Sequence, residues 1–152
     1  MPGSVSASST RTRMRACTFR TLRCLATLAA PIPMDLVLAG HEPPLLIRAD
    51  GTAEFVGQRG TPLGLVNQVK LHTTQLHIAP GDVLLAYTDG IIERRGPRGP
   101  YGAHRLMTAA SATYPLPAAQ LIATVRASVQ NFSTQEPKDD IALLAIRATE
   151  PR

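Results

Sequence analysis

The chain has 152 residues, 44% hydrophobic and 18% charged, a size and balance that fit one soluble domain with its own core. Trp is absent and there are only three Tyr and three Phe, too few rings for a nucleic-acid binder built on base stacking. Of the 16 Lys and Arg, five (Arg11, Arg13, Arg15, Arg20 and Arg23) precede the first acid, Asp35, leaving eleven basic residues against all eleven acids; the net charge of +5 therefore belongs to the N-terminal arm, and the body is neutral.

Residues 1–33 are rich in Ser, Thr, Arg and Ala and hold no acid, which superficially resembles a transit peptide or a weak secretory leader. A basic arm can contact nucleic acid or an anionic membrane, but a solvated tail is the better reading. Cys17 and Cys24 match no zinc or redox spacing and make no disulfide framework, so free thiols in a reducing cytoplasm are expected. Leu22–Ala30 is short and interrupted by Arg23, and no stretch reaches the length of a bilayer span. The arm is expected to be disordered or loosely helical, a non-native N-terminus left by a truncated or frame-disturbed reading of a longer gene.

Met34–Ala39 reads as a strand, Gly40-His41-Glu42-Pro43-Pro44 as its turn and Leu45–Arg48 as the returning strand. Asp50-Gly51 signals a tight hairpin from which Thr52–Val56 comes back, so the region is an antiparallel meander. His41, beside a Pro-Pro turn, is expected to be a structural hydrogen-bonding group. Gly60–Leu65 is punctuated by Gly and Pro without phosphate-loop spacing. Val69, Leu71 and Thr73 share one alternating phase and Leu76 and Ile78 the other, which predicts a bulge or two strand pieces near Thr73-Thr74. His72 and His77 fall on the polar phases and are predicted to face solvent.

Pro80-Gly81-Asp82 marks a turn, and Val83–Tyr87 is then a short apolar run between turn residues, the pattern of a strand buried on both faces. Asp89 arrives at the strand end, followed by Gly90, expected to allow a sharp turn that a Cβ would resist. Taken alone, Thr88-Asp89-Gly90 reads as a turn with Asp capping its own backbone. Glu93 stands close enough to support Asp89, with a surface ion pair to a neighbouring Arg as the plainer role. After a Gly- and Pro-rich loop, Tyr101-Gly102 opens a helix over 103–113. Leu116-Pro117 announces a second, whose Leu121, Ile122, Val125, Val129 and Phe132 recur at helical spacing and need a surface to pack on. A polar loop leads to Asp139 and Asp140 and a last strand, Ile141–Ile146. If this strand and Val83–Tyr87 are antiparallel neighbours, Asp89 and Asp139 lie at the same end of the sheet. Oxygen ligands gathered there suit a hard cation such as Mg²⁺ or Mn²⁺. The fold class is α+β, an antiparallel sheet layered with two helices.

The segments Leu38–Leu46 (with Ala39-Gly40-His41), Pro62-Leu63-Gly64, Pro80-Gly81-Asp82, Tyr87-Thr88-Asp89-Gly90, Tyr101-Gly102 and Asp139–Leu143 occur in an order and spacing that resembles the C-terminal half of the PPM-type (2C-like) serine/threonine phosphatases, in their SpoIIE-like branch. The resemblance covers roughly residues 34–148, with 149–152 a tail, and rests on several motifs in register. It implies part of an α/β/β/α sandwich. In the intact family two Mn²⁺ or Mg²⁺ ions sit between the sheets, held by aspartates from both halves, and a water bridging them attacks phosphorus. Carried over, Asp89 and Asp139 match the two C-terminal metal ligands, while Gly90, Asp140 and Glu93 are supporting positions. The family's N-terminal aspartates have no counterpart here, so a weak or partial metal site and slight activity are expected.

The resemblance also implies a phosphorylated protein substrate such as an anti-sigma-factor antagonist, with nucleic acid an unlikely partner. Loss of half a sandwich should leave one sheet face bare, so self-association or complementation by an N-terminal half is expected. The alternative is a degenerate, non-catalytic phosphatase fold that binds proteins.

Overall fold

Alternation along the strands decides the layering. In residues 83–87 the side chains of Val83, Leu85 and Tyr87 enter one core while Leu84 enters a second, since successive side chains of an extended chain point to opposite faces. Residues 45–47 do the same, Leu45 and Ile47 joining the first core and Leu46 the second. A sheet built from such strands must be covered on both sides. The computed structural model, which describes residues 6–9, 31–112, 114–115 and 117–149, provides both covers.

The elements are β1 (Ser6–Ser9), β2 (Ile32–Ala39), β3 (Leu45–Ile47), β4 (Ala53–Phe55), β5 (Arg59–Gly60), β6 (Thr73–Ile78), β7 (Val83–Tyr87), α1 (Asp89–Ile92), β8 (Arg95–Gly96), β9 (Gly99–Pro100), α2 (Gly102–Ser111), α3 (Ala118–Phe132) and β10 (Leu143–Arg147). A five-stranded sheet runs β1-β10-β7-β3-β4 with every neighbouring pair antiparallel. A three-stranded sheet runs β5-β2-β6; β2 and β6 pair antiparallel from Ile32↔Ile78 to Val37↔Thr73, and β5 adds a short parallel pairing. β8 and β9 form a small hairpin.

Helices α2 and α3 lie on one face of the five-stranded sheet. Leu106 and Ala110 of α2 and Leu121, Val125 and Val129 of α3 pack there with Leu45, Leu85 and Ala145. The helical stripe expected for α3 is thus its buried face, and removing each fully buried aliphatic side chain from water contributes about 1.5–3 kcal/mol. On the other face Leu36, Leu38, Leu76 and Ile78 of the smaller sheet pack against Leu46 and Leu84. The fold is α+β in three layers, helices on sheet on sheet.

This second cover corrects the expectation of a bare inner face: β2 and β6 lie over it, and the outward residues of the smaller sheet, among them Asp35, Val37, Gln75 and His77, are exposed and largely polar. Exposed apolar side chains gather elsewhere, at Leu63, Leu65, Val66, Val69 and Leu71. That loop also resolves the slip in alternation. Val69 and Leu71 precede the strand, and β6 is one piece without a bulge, so their apparent phase had no sheet beneath it. His72 and His77 are exposed, as predicted, and His41 is half-buried. At the Asp50-Gly51 hairpin Thr52 donates to Asp50 Oδ1 from its backbone N–H (2.9 Å) and its hydroxyl (2.6 Å), which holds the Asp50 carboxyl below the usual range.

Of the arm expected over 1–33, most lies outside the described residues. Within it Ser6–Ser9 pairs with β10, from Ser6↔Arg147 to Ser9↔Leu144, and β2 starts at Ile32, ahead of the expected Met34. Among the described residues no helix is long and apolar enough to cross a membrane.

Candidate active site

β7 and β10 are antiparallel neighbours with Leu143 opposite Tyr87. The chain leaving β7 at Thr88-Asp89-Gly90 therefore lies beside the chain entering β10 through Asp139-Asp140-Ile141-Ala142. Thr88 fastens the two. Its hydroxyl donates to the Asp140 carbonyl (2.7 Å) and accepts the Ala142 N–H (2.9 Å), and its own N–H donates to the Ala142 carbonyl (3.2 Å).

Asp89 opens the single-turn α1 where a turn was expected, with the Glu93 N–H donating to the Asp89 carbonyl (2.8 Å). The turn carries Ile91 into the first core, where it is fully buried. Gly90 also differs from expectation. Its φ is not in the left-handed region; the absence of a side chain permits a close approach instead. A Cβ on Gly90 would sit 2.6 Å from the Asp140 carbonyl oxygen, closer than real atoms approach, and a tight 3.2 Å from the backbone of Asp139.

Asp89 and Asp139 flank this contact, and both are exposed. In each, Oδ1 accepts the next residue's backbone N–H, Gly90 for Asp89 (2.9 Å) and Asp140 for Asp139 (2.8 Å). The other carboxylate oxygen of each makes no hydrogen bond to the described residues. Two hard oxygen donors at one rim suit a hard divalent cation, and their charge offsets that of one such ion. Among the described residues no cluster of three or more His, Cys, Asp or Glu stands together, so these residues fit part of one ion's oxygen shell rather than a complete two-ion cage.

A cavity of about 140 Å³ opens beside the contact, lined by Gly90, Glu93, Arg95, Glu136, Lys138 and Asp139 among others. Glu93 faces it and is exposed; no ion pair to Glu93 is present among the described residues. Asp140 is exposed, and it is its backbone carbonyl that meets Thr88. Tyr87, just before the site, is buried; burial foremost, and then the charge of Glu42, push its hydroxyl up to about 12.

Two contributors were not found by sequence reasoning. Thr88 was read only as part of a turn tripeptide. Arg94 entered only as a neighbouring Arg with which Glu93 could pair on the surface, yet it is half-buried while Arg95 is exposed, and its guanidinium reaches Ser133 and Gln135 across the chain. A Thr following a buried strand is a usable signal, because a hydroxyl there can bridge to a neighbouring strand end. Nothing in Glu93-Arg94-Arg95 separates one arginine from the other.

Comparison with known proteins matches residues 10–149 to the family described as Stage II sporulation protein E (SpoIIE). Protein IcfG from Synechocystis sp. is 25% identical over 114 residues, which is 74% of this chain and 18% of that protein. The structure of the PP2C phosphatase domain and a fragment of the regulatory domain of SpoIIE from Bacillus subtilis superposes with a TM-score of 0.68 at 15% identity, covering 79% of this chain and 35% of that one. The RsbU and RsbW domains of Rv1364c from Mycobacterium tuberculosis give a TM-score of 0.58 at 30% identity, with 79% and 34% coverage. The chain thus spans about a fifth of the curated relative and about a third of these solved chains.

Proposed function

The chain belongs to the SpoIIE family and carries its PP2C-like phosphatase fold, and from that premise we propose that it is a metal-dependent serine/threonine phosphoprotein phosphatase domain in which Asp89 and Asp139 are metal ligands. The observation that carries the reading is the contact of Gly90 with the Asp139-Asp140 backbone, which brings two strand-end carboxylates to one rim. A Mn²⁺ or Mg²⁺ ion bound there supplies Lewis-acid stabilisation of phosphoryl oxygens and lowers the pKa of a water. The chain's own residues do the rest. Asp89 and Asp139 offer the oxygens, Thr88 fixes their two segments in register, and Gly90 keeps the gap between them closed. The adjacent cavity is lined by Arg94, Arg95 and Lys138 and equally by Glu93, Glu136 and Asp139, so Arg95 and Lys138 offer local partners for phosphoryl oxygens in a lining that is neutral overall.

By family resemblance the substrate is a phosphorylated protein such as an anti-sigma-factor antagonist, handled in the cytoplasm. Hydrolysis of an aryl phosphate with Mn²⁺, compared among the wild type, Asp89→Asn and Asp139→Asn, tests the assignment. Activity lost in both variants is expected; equal activity in all three proteins would overturn it. A second reading is favoured by the lack, among the described residues, of a group of three His, Cys, Asp or Glu placed to hold a metal ion: a phosphatase fold that binds a phosphoprotein without turnover. Phosphopeptide binding with no hydrolysis in any of the three proteins would select it.

A further inference from the structure

The irregular segment between α3 and β10 carries Asp139, and every residue of it from 134 to 140 is exposed. Little packing holds such a segment, yet a metal ligand on it has to stay within reach of Asp89. It is gripped at two places, both by the chain that carries Asp89. Thr88 holds its far end at Asp140 and Ala142. Arg94 holds its near end, Nη2 donating to the Ser133 carbonyl (2.9 Å) and to the Gln135 carbonyl. The two grips bracket Asp139 as Thr88 and Arg94 bracket Asp89.

Arg94 is itself anchored. Its backbone carbonyl accepts the N–H of Tyr101 (2.8 Å), whose ring is 1% exposed and whose hydroxyl lies 2.7 Å from Ser128 Oγ of α3. Ser133, at the other side of the bridge, is also buried, and its hydroxyl accepts the Gln135 N–H (3.2 Å). The bridge thus joins two ordered points. Its cost is visible as well: Arg94 Nε is buried without a hydrogen-bond partner among the described residues, and an unmet buried donor is destabilising.

We propose that Arg94 is a positioning residue which straps the 133–139 segment to the end of α1 and thereby holds Asp139 within reach of an ion shared with Asp89. The role presupposes the two-carboxylate metal reading. The planar guanidinium is pre-organised, so it loses less freedom per hydrogen bond than the flexible ammonium of a lysine, which has the donors but not the fork.

The test compares wild type, Arg94→Ala and Arg94→Lys by amide hydrogen exchange at Gln135, Asp140 and Ala142 and by calorimetric titration with Mn²⁺ alone. In Arg94→Ala exchange at these amides should rise roughly tenfold or more, while amides of β3 and β7 keep their protection. Mn²⁺ affinity should fall roughly tenfold. Arg94→Lys keeps the charge and donors on a flexible stem without the planar fork, and should show both losses in part; should Arg94→Ala not fold, Arg94→Lys carries the same comparison. Unchanged exchange in the segment of Arg94→Ala, or of Arg94→Lys where the alanine variant does not fold, overturns the strap. If the wild type takes up no Mn²⁺, the metal reading fails while the exchange data still decide whether Arg94 holds the segment.

Discussion

Strand β7 has an aspartate at each end, and the two live in opposite surroundings. Asp82, at the entry, is 2% exposed. It accepts hydrogen bonds from the Ala49 N–H (2.9 Å), the Ala79 N–H (3.0 Å) and Arg48 Nη1 (3.1 Å), so a buried charge is fully paired, as burial demands. Asp89, at the exit, is exposed and engages one described donor, the N–H of its own neighbour. The first carboxylate spends its lone pairs on closing loops; the second keeps an oxygen available. The contrast separates a structural acid from a candidate ligand more reliably than the motif each sits in, since both belong to turn-like tripeptides.

Breaking the entry end should have the largest effect. Asp82→Ala orphans two backbone donors and the Arg48 guanidinium, and should lower stability by about 3 kcal/mol in urea unfolding; a loss below about 1 kcal/mol would erase the distinction between the two ends. Next comes Gly90→Ala, whose methyl would meet the Asp140 carbonyl oxygen at 2.6 Å. Overpacking of that kind should cost about 2 kcal/mol and weaken Mn²⁺ binding by separating the carboxylates, which thermal melts and titration would report together.

Tyr87 sharpens the comparison through pH. Its folded pKa, raised to about 12, lies above the unfolded value of about 10, so its contribution is fully present below the unfolded pKa and is lost as pH rises through that window. Stability should drop by roughly 2 kcal/mol between pH 10 and 12, and Tyr87→Phe should flatten that slope. The smallest change in stability belongs to the exit end. Asp89→Asn and Asp139→Asn should stay within about 0.5 kcal/mol of wild type while Mn²⁺ affinity falls on the order of tenfold or more. A large destabilisation by either would move that acid into the class of Asp82.

Much of the scaffold was legible along the chain. The run Val83–Tyr87 announced a strand buried on both faces, and Leu121, Val125 and Val129 announced the buried stripe of α3, because periodicity records which faces leave water. The same signal misled at Val69 and Leu71, exposed in a loop, since alternation cannot say whether another layer lies above it. The cover over Leu46 and Leu84 was missed for a related reason: β2 and β6 looked like members of one meander, and only their pairing with each other sets them apart as a second sheet.

From the amino-acid sequence alone followed the longer strands, the two long helices, the strand-end aspartates and the family they resemble, all read from patterns of residues near one another in the chain. Tertiary structure decided the rest: that Gly90 serves a close approach, that Thr88 ties two strand ends, and that Arg94 rather than Arg95 turns inward. Those roles are set by which distant backbone atom lies opposite each residue, and that depends on strand register and layer packing, which local pattern does not encode.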